Sequence, residues 1–324
     1  MNGVYRSGVR GKTRAIGWGA VLAASAALGS STVAQAAPLA SVSTGPAQQV
    51  SYDSAVLTGN VNPRGSDTSY YFQYGPTTEL GGQTAIADAG AGTSAVKVSV
   101  PVSGLQPLTA YYFRLVAVNS AGAASGSYRT LLTGKVPLSV QIGSSPNPVP
   151  YGATIVIQGI LTGTENSNRE VELLADSFPF TAGFQAVENP ELTNAMGAFS
   201  FPLPALTEST RFEVMTVTTP PVVSPVAVEN VAVQVVSHVA RARRPHHVRV
   251  YGTVTPAENG MQVGVLREVH GQGVLMGGTG LLARDATSSK FSVVVPARAG
   301  VYRVLVRVTS GAQVSSYGPP MRVG

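Results

Sequence analysis

Side chains able to do chemistry are few in this chain, and their spacing argues against most catalytic arrangements. It contains four histidines, His238, His246, His247 and His270, and no cysteine. A serine hydrolase needs a histidine beside an activated serine and a carboxylate, yet the sequence has no G-x-S-x-G stretch, and His238, His246 and His247 crowd into one short segment. The zincin spacing H-E-x-x-H is absent too. His246 and His247 are adjacent, so on an extended strand they point to opposite faces and cannot chelate one metal together. Without thiols there is no disulfide framework and no thiolate metal site. Glu170 and Glu172 share a strand face at i, i+2 in the manner of a glycosidase pair, but two carboxylates crowded on an exposed strand read as solvated charge. The glycine-rich HGQGVLMGGTG, His270 to Gly280, lacks the strand-to-helix context of a phosphate loop and reads as a hairpin loop. Arg64-Gly65-Ser66-Asp67 reads as a turn. No catalytic residue, metal or cofactor is therefore expected.

Binding chemistry is better represented. Arg241, Arg243, Arg244 and Arg249 make a basic run able to hold an anionic partner. Tyr70, Tyr71, Tyr74 and Tyr112 form the one credible aromatic platform for a sugar ring, since the only tryptophan, Trp18, falls in a segment expected to be removed.

That segment is the N-terminus. Arg6, Arg10, Lys12 and Arg14 precede the apolar run AIGWGAVLAASAALG and then Ala34-Gln35-Ala36, the layout of a secretory signal peptide cleaved after Ala36. Nothing after it is long and apolar enough to span a bilayer, so residues 37–324 are expected to be secreted, extracellular and without a transmembrane segment. Removing residues 1–36 takes four bases and no acids and leaves 18 Lys+Arg against 16 Asp+Glu, a net charge of +2. A generally basic nucleic-acid binder is not indicated.

The elements that must carry these residues are strands. AVLTGNV, SYYFQY, VKVSVPV, TIVIQGIL, REVELLA, RFEVMTV, HVRVYGTV, MQVGVL and VYRVLVRV are short, rich in β-branched or aromatic residues and bounded by Gly, Pro, Asn or Ser. No segment after residue 36 repeats apolar residues at helical spacing across three turns. The fold class expected is all-β, built of β-sandwiches.

Within LQPLTAYYFRLVAV, the residues Leu105, Pro107, Thr109 and Tyr111 make the pattern L-x-P-x-T-x-Y, with alternation continuing through Phe113 and Leu115. A sandwich crosses between sheets at such a point, and a tyrosine there can pack its ring inside while its hydroxyl meets the upstream backbone. The stretch resembles the tyrosine corner of fibronectin type III domains, and the resemblance runs from about Ala40 to Thr133. It implies that Leu105, Pro107, Thr109 and Tyr111 are structural keystones. Type III domains usually bury a tryptophan on strand B; here Val56 and Leu57 stand there, so the core must be filled differently.

Two further units share a plan. Phe199 to Ala205 spells FSFPLPA and Phe291 to Ala297 spells FSVVVPA; each unit has an early strand reaching a glycine, Gly159 or Gly252, and a later strand with an aromatic near its start, Phe212 or Tyr302. Both units resemble the immunoglobulin-like modules of secreted bacterial surface proteins. The organisation expected is a signal peptide (1–36), a fibronectin type III-like domain (37–135), an immunoglobulin-like domain (136–237), and a basic linker, SHVARARRPHH, leading a second immunoglobulin-like domain (238–324). Short joints imply an elongated rod.

Charge divides unevenly among these units. Residues 37–135 have a net charge of +1, residues 136–237 have two bases against nine acids for −7, and residues 238–324 have eleven bases against three acids for +8. The expected partners are an anionic cell-surface polymer or another surface protein, with contact between the acidic middle and basic final domains as a further expectation. Two function classes follow: a noncatalytic structural, adhesive or surface-binding protein of a bacterium, or a carbohydrate-binding accessory protein.

Overall fold

The computed structural model describes residues 36–324 apart from Ser145; the expected signal peptide lies outside the described residues except for Ala36. The chain is all-β and forms three tandem β-sandwiches, each around its own apolar cluster. The first is fibronectin type III-like and the other two immunoglobulin-like.

In the first sandwich, β1 (Ser41–Thr44), β2 (Ser54–Asn62) and β6 (Val96–Ser103) form one sheet. The facing sheet centres on β3 (Thr68–Gly75) and β7 (Ala110–Asn119), edged by β4 (Gly82–Gln83), β5 (Ala87–Gly90), β8 (Gly122–Ser125) and β9 (Arg129–Leu132). The β2 strand alternates buried and half-buried positions, so Leu57 enters the core. Phe72, Phe113 and Leu115 are fully buried there, filling the volume that a strand-B tryptophan fills elsewhere.

The second sandwich opposes β10 (Ser139–Gly143), β12 (Ile155–Thr162) and β16 (Ala198–Leu203) to β13 (Glu170–Ser177) and β17 (Thr210–Thr216). Edging the latter pair are β14 (Gln185–Ala186), β15 (Glu191–Leu192) and β18 (Ala227–Glu229). A separate pair, β11 (Val149–Pro150) and β19 (Val231–Ala232), runs parallel. The third sandwich opposes β20 (Gln234–Arg241), β21 (His247–Thr255), β25 (Ser289–Pro296) and β24 (Leu282–Ala283) to a sheet led by β23 (Gln272–Gly280) and β22 (Gln262–Val269). That sheet is completed by β26 (Gly300–Arg307), β27 (Ser316–Tyr317) and β28 (Met321–Val323).

The repeated sequence signature has a physical basis in register. Gly159 pairs with Phe199 and Gly252 with Phe291 across adjacent strands, so each glycine leaves room for the ring opposite.

Two expectations are corrected by pairing. SHVARARRPHH is not a linker. Residues Gln234 to Arg241 pair along their full length with Val248 to Thr255, and Val233 already belongs to the third core, because Val235 and Val239 alternate inward while the charged residues face out. Likewise, only His270 and Gly271 of HGQGVLMGGTG form a turn, both with positive φ, as a two-residue hairpin requires. Gln272 to Gly280 is a strand whose partner lies in Gln262 to Val269.

The joints are hydrogen bonded. At the first, the Val136 amide donates to Thr164 Oγ1 at 2.9 Å and Lys135 pairs with Glu165 at 2.8 Å. At the second, the 310–314 segment of the third domain reaches back: the Ser209 amide donates to the Ala312 carbonyl at 2.6 Å, and Gln313 Nε2 to the Thr207 carbonyl at 2.7 Å.

Candidate functional site

The basic run is held by a hairpin. Strands β20 and β21 pair until Arg241 meets Val248, and the connection Ala242 to His246 is closed by the Ala242 amide donating to the His247 carbonyl at 3.2 Å. His246 adopts a positive φ of 57°, and its carbonyl accepts from the Ala297 amide at 2.8 Å, which ties the turn to the neighbouring strand end. The exposed side chains of Arg241, Arg243, Arg244 and Arg249, with Ala242 and Val294, line an open concavity of about 560 Å³. None of these four arginines is in an ion pair among the described residues. The Arg249 guanidinium lies 4.5 Å from the Tyr251 ring centroid, and the His238 ring lies 5.6 Å from it on the other strand. Stacking on a ring holds a guanidinium in place while its donors stay open to a ligand. Tyr251 was missed in the sequence, although its place two residues after Arg249 puts both on one strand face.

The tyrosine patch does not assemble as expected. Period two divides it: Tyr70 and Tyr74 pack against the first core, while Tyr71 and Tyr112 belong to the opposite face. On that outer face, Arg114 lies over the Tyr128 ring at 5.2 Å and donates from Nε to Gln73 Oε1 at 2.9 Å. Tyr128, 46% exposed, is a further ring that sequence reasoning missed, because it precedes the short strand β9 and no alternation fixes its side.

At the keystone, the Gln106 amide donates to the Tyr111 hydroxyl at 2.9 Å and Thr109 Oγ1 donates to the Pro107 carbonyl at 2.9 Å, above a buried Leu105. The third domain has the same device. There the Arg298 amide donates to the Tyr302 hydroxyl at 3.1 Å, and that hydroxyl donates to the Arg298 carbonyl at 3.0 Å.

Carboxylates with displaced acidity lie apart from one another, and structure accounts for each. Burial pushes Glu229 and Glu258 up. Asp285 is held down to about 2, first by the Thr287 amide and then by the Ser288 hydroxyl, in the turn between β24 and β25. A depressed folded-state value means that the charged form supports the fold above the ordinary value of 3.8 and that this support is lost as pH falls toward about 2. Acid titration of the melting temperature should therefore show a decline across that window, and Asp285→Asn should flatten it; an unchanged slope in the variant would assign the decline to other groups. Among the described residues no three His, Asp or Glu side chains gather as a metal site, and no histidine ring is hydrogen bonded to a serine or carboxylate. Glu170 and Glu172 lie on the outer face of β13. No helix of the described residues is long and apolar enough to cross a membrane.

No family model and no curated protein matches the chain. Among solved structures, it is similar to the FN1-FN3 domains of chicken CNTN1, at 17% identity and a TM-score of 0.31, over 87% of this chain and 97% of that one. A tetra-tandem repeat in the extending region of a large adhesion protein is similar at 14% identity and a TM-score of 0.30, over 88% and 74% of the two chains. The sensor domain of the anti-sigma factor RsgI4 from Pseudobacteroides cellulosolvens covers 30% of this chain and 96% of its own, at 20% identity and a TM-score of 0.25. At such scores none of these likenesses carries an argument about function.

Proposed function

We propose that this chain is a noncatalytic extracellular structural or adhesive protein of a bacterium, and that its third domain grips an anionic surface polymer through the hairpin bearing Arg241, Arg243, Arg244 and Arg249. The observation that supports this reading is the convergence of four unpaired, exposed arginines on one open concavity in a domain of net charge +8. Guanidinium groups present planar donor forks suited to phosphate, sulfate or carboxylate, and an open concavity suits a chain that passes through rather than a small molecule that is enclosed. Retention of the protein on a polyanion-coated surface, such as teichoic acid or an acidic polysaccharide, should fall steeply between about 0.1 M and about 1 M salt, as the Debye length shortens from about 10 Å to about 3 Å. The variant Arg241→Ala/Arg243→Ala/Arg244→Ala should lose at least about tenfold in affinity, or about 1.4 kcal/mol, with its fold unchanged. Retention that is insensitive to both salt and the variant would sink the reading.

A second reading, a carbohydrate-binding accessory protein, is favoured by one observation: Tyr71, Tyr112, Arg114 and Tyr128 share the outer face of the first domain. Neutral insoluble polysaccharide in a pull-down separates the two, since a stacking platform binds it with little salt dependence.

A further inference from the structure

Strand β23 stands out among the sheet edges. It is nine residues long, occupies the edge of its sheet, and reads QGVLMGGTG, with neither charge nor proline. Every other edge strand among the described residues is five residues or fewer, or carries a proline or a charged side chain: Lys97 and Pro101 in β6, Pro202 in β16, Arg241 in β20. Charges and prolines are the usual means by which a sheet edge is kept from pairing with another chain. The free edge of β23 offers a row of main-chain donors and acceptors that only another extended strand can satisfy together. Beside it, Leu275 is 65% exposed and Val274 is 48% exposed.

The side chains of β23 point to which strand that is. Register with β22 places Leu275 and Gly278 on the outer face, opposite Leu266 and Gly264, and Val274 and Thr279 on the inner side; the bulge at Met276 leaves Met276 and Gly277 both directed inward. We propose that β23 pairs antiparallel with β23 of a second copy of this chain, about a two-fold axis between Met276 and Gly277. In that register Leu275 faces Gly278, Met276 faces Gly277 and Val274 faces Thr279, each pair on one face. The bulky half of the strand thus lies against the glycine half of its partner, so the pairing is self-complementary and brings no charge of either strand against its like. The surface lies in the sheet opposite the arginine hairpin, and its use is independent of polymer binding.

Electrostatics separates the two. Third domains of net charge +8 repel one another, so pairing strengthens as salt rises, whereas polyanion binding weakens. Sedimentation velocity on the whole chain without polymer should show a concentration-dependent dimer that becomes tighter between about 0.1 M and about 1 M salt. Leu275→Lys should weaken it by about tenfold or more, while Leu192→Lys, at an equally exposed leucine of the second domain, should leave it unchanged. Because the chain has no cysteine, register can be read without background. Positions 274 and 279 lie about 16 Å apart along one strand, beyond the roughly 7 Å limit for an internal disulfide, so a Val274→Cys/Thr279→Cys variant can bridge only between copies. Oxidation should convert it to a covalent dimer while each single variant stays uncrosslinked. A chain that is monomeric at every salt and concentration overturns the proposal, as does a dimer indifferent to Leu275→Lys. A strand from a different protein as the true occupant would give the monomeric result.

Discussion

Gly252→Ala is expected to unfold the third domain under conditions in which the parent chain is native, costing about 3 kcal/mol or more, at the upper end of what overpacking does. Gly252 lies between two strands, paired with Ser237 on one side and Phe291 on the other. A methyl group added there would overlap the Val236 carbonyl oxygen and press to 2.9 Å from Phe291 Cζ. Neither obstacle yields cheaply, because the first is main chain in a ladder and the second is a buried ring at 3% exposure. Gly159→Ala should do the same in the second domain, where the new atom would overlap the Phe199 ring and lie 2.5 Å from the Gln141 carbonyl. Gly143→Ala is the control, since nothing lies within 4 Å of its added carbon. Urea denaturation followed by circular dichroism reads all three. A Gly252→Ala midpoint equal to that of Gly143→Ala would mean that the strands separate freely and the glycine is not required.

Replacing Tyr302 by Ala should cost about 3–5 kcal/mol, the range for emptying a fully buried aromatic site. The ring is wholly buried among the core residues of the third domain. Its hydroxyl also serves the Arg298 amide and carbonyl, which the chain reversal leaves without ladder partners. Tyr302→Phe keeps the ring and loses only that service, so it should cost about 0.5–1.5 kcal/mol, and Tyr111→Phe the same in the first domain through the Gln106 amide. Thermal unfolding of the four chains in parallel orders them. If Tyr302→Phe cost as much as Tyr302→Ala, the hydroxyl rather than the ring would dominate, and if it cost nothing the corner would have no energetic role.

Legibility in the sequence followed the range of the interaction that decides each feature. Leu105, Pro107, Thr109 and Tyr111 are close along the chain, so their pattern could be read directly. The Gly-to-Phe pairs could be seen as recurring letters but not understood, because the contact joins strands about 40 residues apart, from Gly159 to Phe199 and from Gly252 to Phe291. The β20 strand was hidden by its own composition: Arg241, Arg243, Arg244, Pro245 and two histidines look like a solvated connector, and only Val235 and Val239 carry the inward alternation. In β23, Gly273, Gly277, Gly278 and Gly280 remove the side chains that reveal period two, and tertiary pairing with β22 then decides the conformation. The tyrosine patch failed for the opposite reason. Alternation was legible and already separated Tyr70 from Tyr71. The second domain differs from its neighbours because Phe212 stands where Tyr111 and Tyr302 do, and no hydroxyl serves its corner. The Ser209 amide and Thr207 carbonyl are bonded from the third domain instead, a relation that nothing local could announce.

The parallel pairing of β11 with β19 has a mechanical meaning. Val149 follows closely on the entry of the chain into the second domain, and Ala232 immediately precedes its exit. The Val149 amide donates to the Asn230 carbonyl and the Tyr151 amide to the Ala232 carbonyl, both at 2.8 Å, with Gln234 Nε2 adding a bond to the Tyr151 carbonyl at 2.6 Å. When the two ends of a domain are pulled apart, bonds between parallel terminal strands lie across the line of force and are strained side by side. Antiparallel terminal strands would instead open one bond after another, like a zip. A tether built with such a clasp resists extension by the sum of its bonds, and it lets go abruptly once they fail together.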